Sequence, residues 1–449
     1  MLKREYLLAE QPLKALFLFS LPMMTGNLFQ QFYTMADSAI VGRFVSEQAL
    51  AAVGASYALT NIFICVAIGG GIGSSVIVSR YFGAGDYTRM KTAIRTAMLS
   101  FLCVSVLLGG AGLLSSRWIM TLLRTPSDTM DMAVVYLDIY FLGLPFLFMY
   151  NVISAMFNAL GKSKIPLYFL IVSSALNVAM DLFMVAVLGM GVAGAAWATL
   201  LSQGIAAVLS YWVLRRTLRQ FSAADSTAFS RAEFACMVRI ALPSILQQSI
   251  VSIGMMLVQS VINSFGTEVL AGFSAAMRIE SICVVPMAAI GNAVSSFTAQ
   301  NLGAGRRDRV TRGYHAANLM VVVCGAALCL LLELFSGPII GIFLGADGTA
   351  AALDTGRAYL AFMGWFYGVI GFKMAVDGLL RGAGDMKMFT AANLANLFVR
   401  VTFAVTMAPR FGVAMVWMAV PLGWLLNWLI SYRQYRTGHW KVLARPETL

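Results

Sequence analysis

Gly73-Ser-Ser-Val-Ile-Val-Ser-Arg-Tyr-Phe-Gly-Ala-Gly85 holds a Ser-Ser pair and a Gly-Ala-Gly turn that return as Ser295-Ser296 and Gly303-Ala304-Gly305. The echo extends outward in both directions. Leu21-Pro22 matches Leu242-Pro243, and Leu50-Ala51 matches Leu270-Ala271. Further along, Tyr136-Leu137 matches Tyr359-Leu360, Gly161 matches Gly384, and Gly191-Val192-Ala193 matches Gly412-Val413-Ala414. The pair Ser210-Tyr211 and Ser431-Tyr432 closes the series, with the offset held between 220 and 223 residues. Two tandem apolar repeats are the sequence signature of a transporter whose halves move against each other around a central site.

Composition supplies the solvent. The 449 residues are 59% hydrophobic and 12% charged, where a soluble chain carries about 25% charged residues. So little polar material cannot cover a water-facing surface. A hydrocarbon core of ~30 Å needs about 20 apolar residues per helix. Candidate spans are 15–38, 50–78, 94–115, 133–157, 167–188 and 191–214, then 237–264, 269–299, 315–345, 353–380, 389–408 and 412–432. The expectation is an all-α membrane protein with twelve transmembrane helices in two six-helix repeats around a central cleft. An even number of spans per repeat makes the repeats parallel, related by an axis along the membrane normal. The apolar runs are continuous rather than alternating, which argues against a β-barrel.

Charge gives the orientation. With a cytoplasmic N-terminus, five of the 32 Lys and Arg (Arg43, Arg117, Arg124, Arg357, Arg410) fall outside and three (Arg278, Lys373, Arg400) within spans. The other 24, Arg80 and Arg381 among them, lie in seven inside segments. That bias places both termini in the cytoplasm. The net charge of +12 is then a topology signal; scattered over short segments, it does not make a nucleic-acid surface.

The organisation read from this is a lobe at 1–214, a cytoplasmic linker at 215–236, a second lobe at 237–435 and a tail at 436–449. The linker run 221–230 is small and polar. Ala67-Ile-Gly-Gly-Gly-Ile-Gly73 lacks the Lys-Ser or Lys-Thr of a P-loop, and no segment is long enough for a nucleotide-binding domain. Uphill transport must then be driven by an ion gradient or by the substrate itself, and no cofactor is expected. The Gly-Ala-Gly sequences read as tight turns needing φ > 0. Six cysteines without metal-ligand spacing read as small packing residues, and two histidines make a zinc site improbable.

Carboxylates within spans are costly, about 2.5–3.5 kcal/mol each on insertion scales, and are functional candidates by default. Asp37 ends the first span, and Asn177 and Asp181 share one face of the fifth at i, i+4 spacing. Two carboxylates and an amide in an apolar lobe could hold H⁺ or Na⁺. The competing reading has Asp37 capping a helix at the outer interface and Asp181 facing a wet loop. Pro22, on the Asp37 helix, is either a switch or architecture, since Pro243 has no matching acid. In the second repeat Lys373 and Asp377 are i, i+4 and can neutralise each other, while Arg278 and Glu280 stand two apart and need partners elsewhere. Asp377 or Glu333 is the partner expected for Arg278, and Arg400 for Glu280. These groups are structural ion pairs or, alternatively, contacts to a cationic substrate.

Taken with twelve spans in two halves, these motifs resemble the multidrug and toxic compound extrusion transporters over essentially the full length. Leu21-Pro22, Asp37 with Val41-Gly42, Leu50-Ala-Ala-Val-Gly54, Gln300-Asn301 and Leu380-Arg-Gly-Ala-Gly-Asp385 carry the match, with Asn177 and Asp181 fitting the fifth-helix pattern. The resemblance implies export of organic cations, drugs or other toxic compounds against inward H⁺ or Na⁺, by a monomer in a bacterial inner membrane. It implies a cation site at Asp37, Asn177 and Asp181, possible for Na⁺, with Pro22 as bending point. It departs in one respect: Ile240–Ser264 holds Gln247, Gln248 and Gln259 but no acid, which favours coupling through the first lobe. A lipid-linked oligosaccharide flippase of the same wider superfamily is the alternative, kept open by Arg278, Lys373 and Arg400. An enzyme is not expected, since no His pair or Gly-x-Ser-x-Gly motif is present.

Overall fold

The structure, a computed structural model, describes residues 6–44, 47–222, 226–262, 265–344 and 349–442, without the side chains of 36–51, 58 and 259. The described residues form α-helices and no strand. The first repeat runs through α1 (Tyr6–Ala9), α2 (Pro12–Phe44), α3 (Glu47–Ala84), α4 (Tyr87–Leu122), α5 (Ser127–Ala159), α6 (Lys164–Asp181) and α7 (Gly191–Leu218). The second comprises α8 (Arg231–Ile262), α9 (Thr267–Gly303), α10 (Arg307–Leu344), α11 (Ala350–Gly364), α12 (Tyr367–Ala383), α13 (Met386–Phe411), α14 (Ala414–Thr437) and α15 (His439–Val442).

Ten of these helices are long and apolar enough to cross a membrane, and the pair α11–α12 makes an eleventh span. α2, with 33 residues, occupies the place of the first expected span. The continuous span expected at 353–380 is instead broken, bent by 51° at Trp365-Phe366. Its counterpart α5 is a single helix. The fifth span departs as well. Its α-helix stops at Asp181, and Leu182–Val187 continue as a π-helix, closed by Leu188 N–H donating to Phe183 O at 2.9 Å.

Glycines end the helices in matched places. Gly85 (φ 75°) and Gly305 (φ 73°) adopt the left-handed conformation expected of the Gly-Ala-Gly turns. Each turn closes the same way, with Asp86 N–H donating to Tyr81 O at 3.1 Å and Arg306 N–H to Asn301 O at 2.8 Å. These are the six-to-one bonds that satisfy the last carbonyls of a helix.

By packing, the chain resolves into two compact units, Thr25–Ile245 and Met1–Met24 with Leu246–Leu449. The divisions fall inside α2 and α8, two or three residues after Pro22 and Pro243, and not in the 215–236 segment. The two break points are 221 residues apart, so they are repeat-equivalent. In the first unit the leading part of α8 lies on α3. A Cβ on Gly69 would stand 2.6 Å from Ile245 Cα, and one on Gly73 2.6 Å from Ala241 N. The glycine run at 69–73 therefore serves close helix packing. In the second unit Gly378 meets the backbone of Gly291, bringing α12 against α9.

Burial repeats too. In the most apolar windows of α3 and α9, 67% and 72% of residues are buried, against 22% and 28% in α4 and α10, although the latter pair is more hydrophobic. Helices that are apolar yet uncovered by protein need lipid as their partner.

The segments ahead of each repeat are also tied down. Arg306 Nη1 donates to Leu8 O at 2.7 Å, and Arg309 to the Leu7 and Glu10 carbonyls. In the other unit Lys91 Nζ donates to Phe221 O at 2.8 Å and Arg95 Nη1 to Ser226 O at 2.7 Å. Basic residues counted as topology markers thus also clamp the backbone.

Candidate functional site

In the unit Thr25–Ile245 the polar centre lies where α6 gives way to the π-helix. Asp181 is 0% exposed and Asn177 1% exposed. Asp181 therefore does not face a wet loop. The Asn177 amide is oriented by its neighbours: its nitrogen donates to Asp181 Oδ2 at 2.8 Å and to Tyr33 Oη at 3.3 Å. Its oxygen accepts from Thr199 N–H at 3.1 Å and from Thr199 Oγ1 at 3.3 Å. Three helices, α2, α6 and α7, thereby meet at the Asn177 amide that holds the buried Asp181 carboxylate. Such an arrangement can take up a proton or share a small cation, because burial makes an isolated carboxylate charge expensive. A π-segment inside an α-helix is a frequent mark of a functional position.

Asp37 lies in α2, one turn beyond Tyr33, but its side chain lies outside the described residues. Pro22 lies inside α2, just ahead of the break between the units. Tyr33 and Thr199 were not singled out from the sequence. Tyr33 carried a signal, being i−4 from Asp37; Thr199 carried none.

The other unit holds a mixed-charge network. Lys373 Nζ pairs with Asp377 Oδ2 at 3.2 Å, both almost wholly buried, as their spacing predicts. Ser431 Oγ donates to Asp377 Oδ1 at 2.8 Å. Glu280 accepts from the Tyr359 hydroxyl. Glu280, Lys373 and Arg400 line one cavity of about 150 Å³, and Arg400 is the cation acting on Glu280, as expected. Arg278 is exposed, and the partners expected for it are engaged elsewhere: Asp377 with Lys373, and Glu333 with Trp365 Nε1 at 2.7 Å.

Arg381, read from the sequence as one of the inside-segment basic residues, is 6% exposed in the last turn of α12. Its Nη2 donates to Asn292 Oδ1 at 2.8 Å, with Ser295 Oγ and Gln247 Oε1 at 3.4 and 3.5 Å. Lys373, Asp377 and Arg381 follow one another at i, i+4, i+8, so one face of α12 reads plus, minus, plus. Arg80, counted with the cytoplasmic residues as well, is 5% exposed at the end of α3.

Comparison with known proteins agrees with this architecture. The chain is 32% identical over 433 residues to the probable multidrug resistance protein YpnP of Bacillus subtilis, covering 96% of each. It is 24% identical to the FAD transporter of Shewanella oneidensis, covering 92% of each. In fold it resembles an outward-facing multidrug resistance MATE family transporter of the MOP superfamily, with a TM-score of 0.90, 24% identity and 98% of both chains covered. The MatE family pattern matches twice, at residues 22–183 and 243–406, one match for each repeat. The chain therefore belongs to the MatE family of membrane transporters.

Proposed function

We propose that this transporter exports organic cations and other amphipathic drugs in exchange for H⁺ or Na⁺, by alternating access. The coupling ion is taken up at Asp181 and Asn177, together with Asp37. The observation that carries this reading is the wholly buried Asp181 carboxylate, held by an amide in an apolar unit at a π-helical break. A cation bound there makes burial of the charge affordable and favours one conformation. Only a cation that binds the two states differently can drive the change. Pro22 is the candidate bending point, since it removes a backbone hydrogen bond within α2. Export is from the plasma membrane of a bacterium, by a monomer with both termini in the cytoplasm. That orientation rests on the excess of basic residues in the inside segments, which persists when Arg80 and Arg381 are set aside.

One relative is named as an FAD transporter, so membership of the family does not fix the cargo. The choice of organic cations as cargo follows the family resemblance, the acids serving the coupling ion. The test is transport in proteoliposomes with an imposed pH or sodium gradient and ethidium as cargo. Gradient-driven ethidium movement that disappears in Asp181→Asn supports the reading. Movement at the wild-type rate in both Asp181→Asn and Asp37→Asn sinks it.

A further inference from the structure

The cavity in the unit Leu246–Leu449 is built differently from the Asp181 cluster. Of its charged lining, Lys373 is already neutralised by Asp377 at 3.2 Å. Glu280 is turned to the Tyr359 hydroxyl. No ion pair joins Glu280 to Arg400 among the described residues; the ion-paired acids of this unit are Asp377 and Asp385, besides Glu10 near the N-terminus. Arg400 acts on the Glu280 charge through space, but no hydrogen bond or ion pair engages its guanidinium among the described residues. Its Nε is buried without a hydrogen-bond partner among the described residues. Gly254 keeps the wall open beside it: even a Cβ added there would stand 3.7 Å from Arg400 Nη1. A guanidinium presents a planar fork of donors that fits a carboxylate in two-point contact.

Apart from Ser281 and Asn396, the rest of the lining is apolar, with Ile250, Val251, Val284, Ile370, Leu397 and Trp424 among it. An apolar cavity of roughly 150 Å³ takes a ligand the size of benzene. The lining thus combines a guanidinium whose Nε has no hydrogen-bond partner among the described residues with largely apolar walls.

We propose that this cavity binds the carboxylate of a small amphipathic anion, with Arg400 as its anchor and the neutral Lys373–Asp377 pair as part of its wall. The site lies in the other unit from Asp181, and binding there can be read without transport. Glu280 sets its selectivity, because a second negative charge beside it repels the ligand.

The experiment uses the full-length purified protein in a neutral detergent free of anionic lipid. Benzoate, benzylammonium and benzyl alcohol are titrated by calorimetry, with tryptophan fluorescence as a second readout. Benzoate should bind saturably, and more tightly than benzyl alcohol. Arg400→Gln should weaken benzoate by about ten- to a hundredfold, the range for losing a charge-assisted contact. Glu280→Gln keeps a hydrogen-bond acceptor for Tyr359 and should bind benzoate several-fold more tightly than the wild type, which decides the matter even if Arg400→Gln fails to fold. Absence of saturable benzoate binding overturns the proposal. So does equal affinity for benzyl alcohol, weaker benzoate binding in Glu280→Gln, or binding of benzylammonium that Glu280→Gln removes.

Discussion

The fifth helix of each repeat starts from the same plan and ends with the opposite charge. α6 carries Asn177 and Asp181, and α13, its counterpart, carries Arg400 within a turn of the equivalent place. Asp181 accepts from the Asn177 amide, which is itself bonded to the neutral groups of Tyr33 and Thr199. Around Arg400 the neighbours include Glu280 and the Lys373–Asp377 pair. The backbone follows the difference: α6 gives way to a π-helix after Asp181, whereas α13 runs unbroken from Met386 to Phe411. Duplication thus preserved the scaffold and let each unit place a different charge in the same fold position. A buried acid held by an amide suits exchange of a cation, whereas a set of buried charges dominated by an ion pair suits structure and anion contact.

The comparison breaks most visibly in transport. Asp181→Asn should abolish gradient-driven export, a loss of a hundredfold or more in proteoliposome flux, because an amide cannot exchange the ion. Tyr33→Phe removes one hydrogen bond to Asn177 and should lower flux only several-fold. If the two variants are equally impaired, the cluster works as a packed unit and not through its charge.

A second test addresses compensation in the other unit. Asp377→Ala leaves Lys373 buried and uncompensated, and should destabilise by about 3–5 kcal/mol, seen as a large drop in melting temperature in detergent. Replacing both partners by Met and Leu should recover much of that loss, since a buried pair can be exchanged for apolar groups. No recovery would mean that Asp377 acts chiefly through Ser431.

Packing gives a smaller effect. Gly378→Ala drives a methyl into the Gly291 backbone and should cost about 1–3 kcal/mol by thermal unfolding. Gly110, with nothing near its missing Cβ, should accept Ala without loss. The least effect belongs to Arg117→Ala. The Arg117–Asp131 pair is 70% and 82% exposed, and such pairs contribute about 0–1 kcal/mol.

Much of the site could be read along one helix. The pairings Asn177–Asp181 and Lys373–Asp377 follow from i, i+4 spacing, because helical geometry is local. Arg381 shows what a count of charges leaves out: alternation of the spans puts it among the inside residues, while its i+8 relation to Lys373 puts it on the same buried face of α12. Tyr359 and Thr199 reach their partners from other helices, and nothing in their own neighbourhoods announces it.

The sequence alone determined the membrane class, the two-fold repeat, the glycine turns and the residues expensive enough to need a role. Each follows from composition, from periodicity, or from the cost of placing charge in lipid, all of which are summed over short stretches of chain. Tertiary structure decided the rest. It buried Asp181, brought Tyr33 and Thr199 to Asn177, and set Arg381 against Asn292. It also broke the tenth span and divided the packing units just after Pro22 and Pro243. These depend on which helices come together, and helix association in lipid is selected by close backbone approach and a few buried hydrogen bonds, not by hydrophobicity that every span shares.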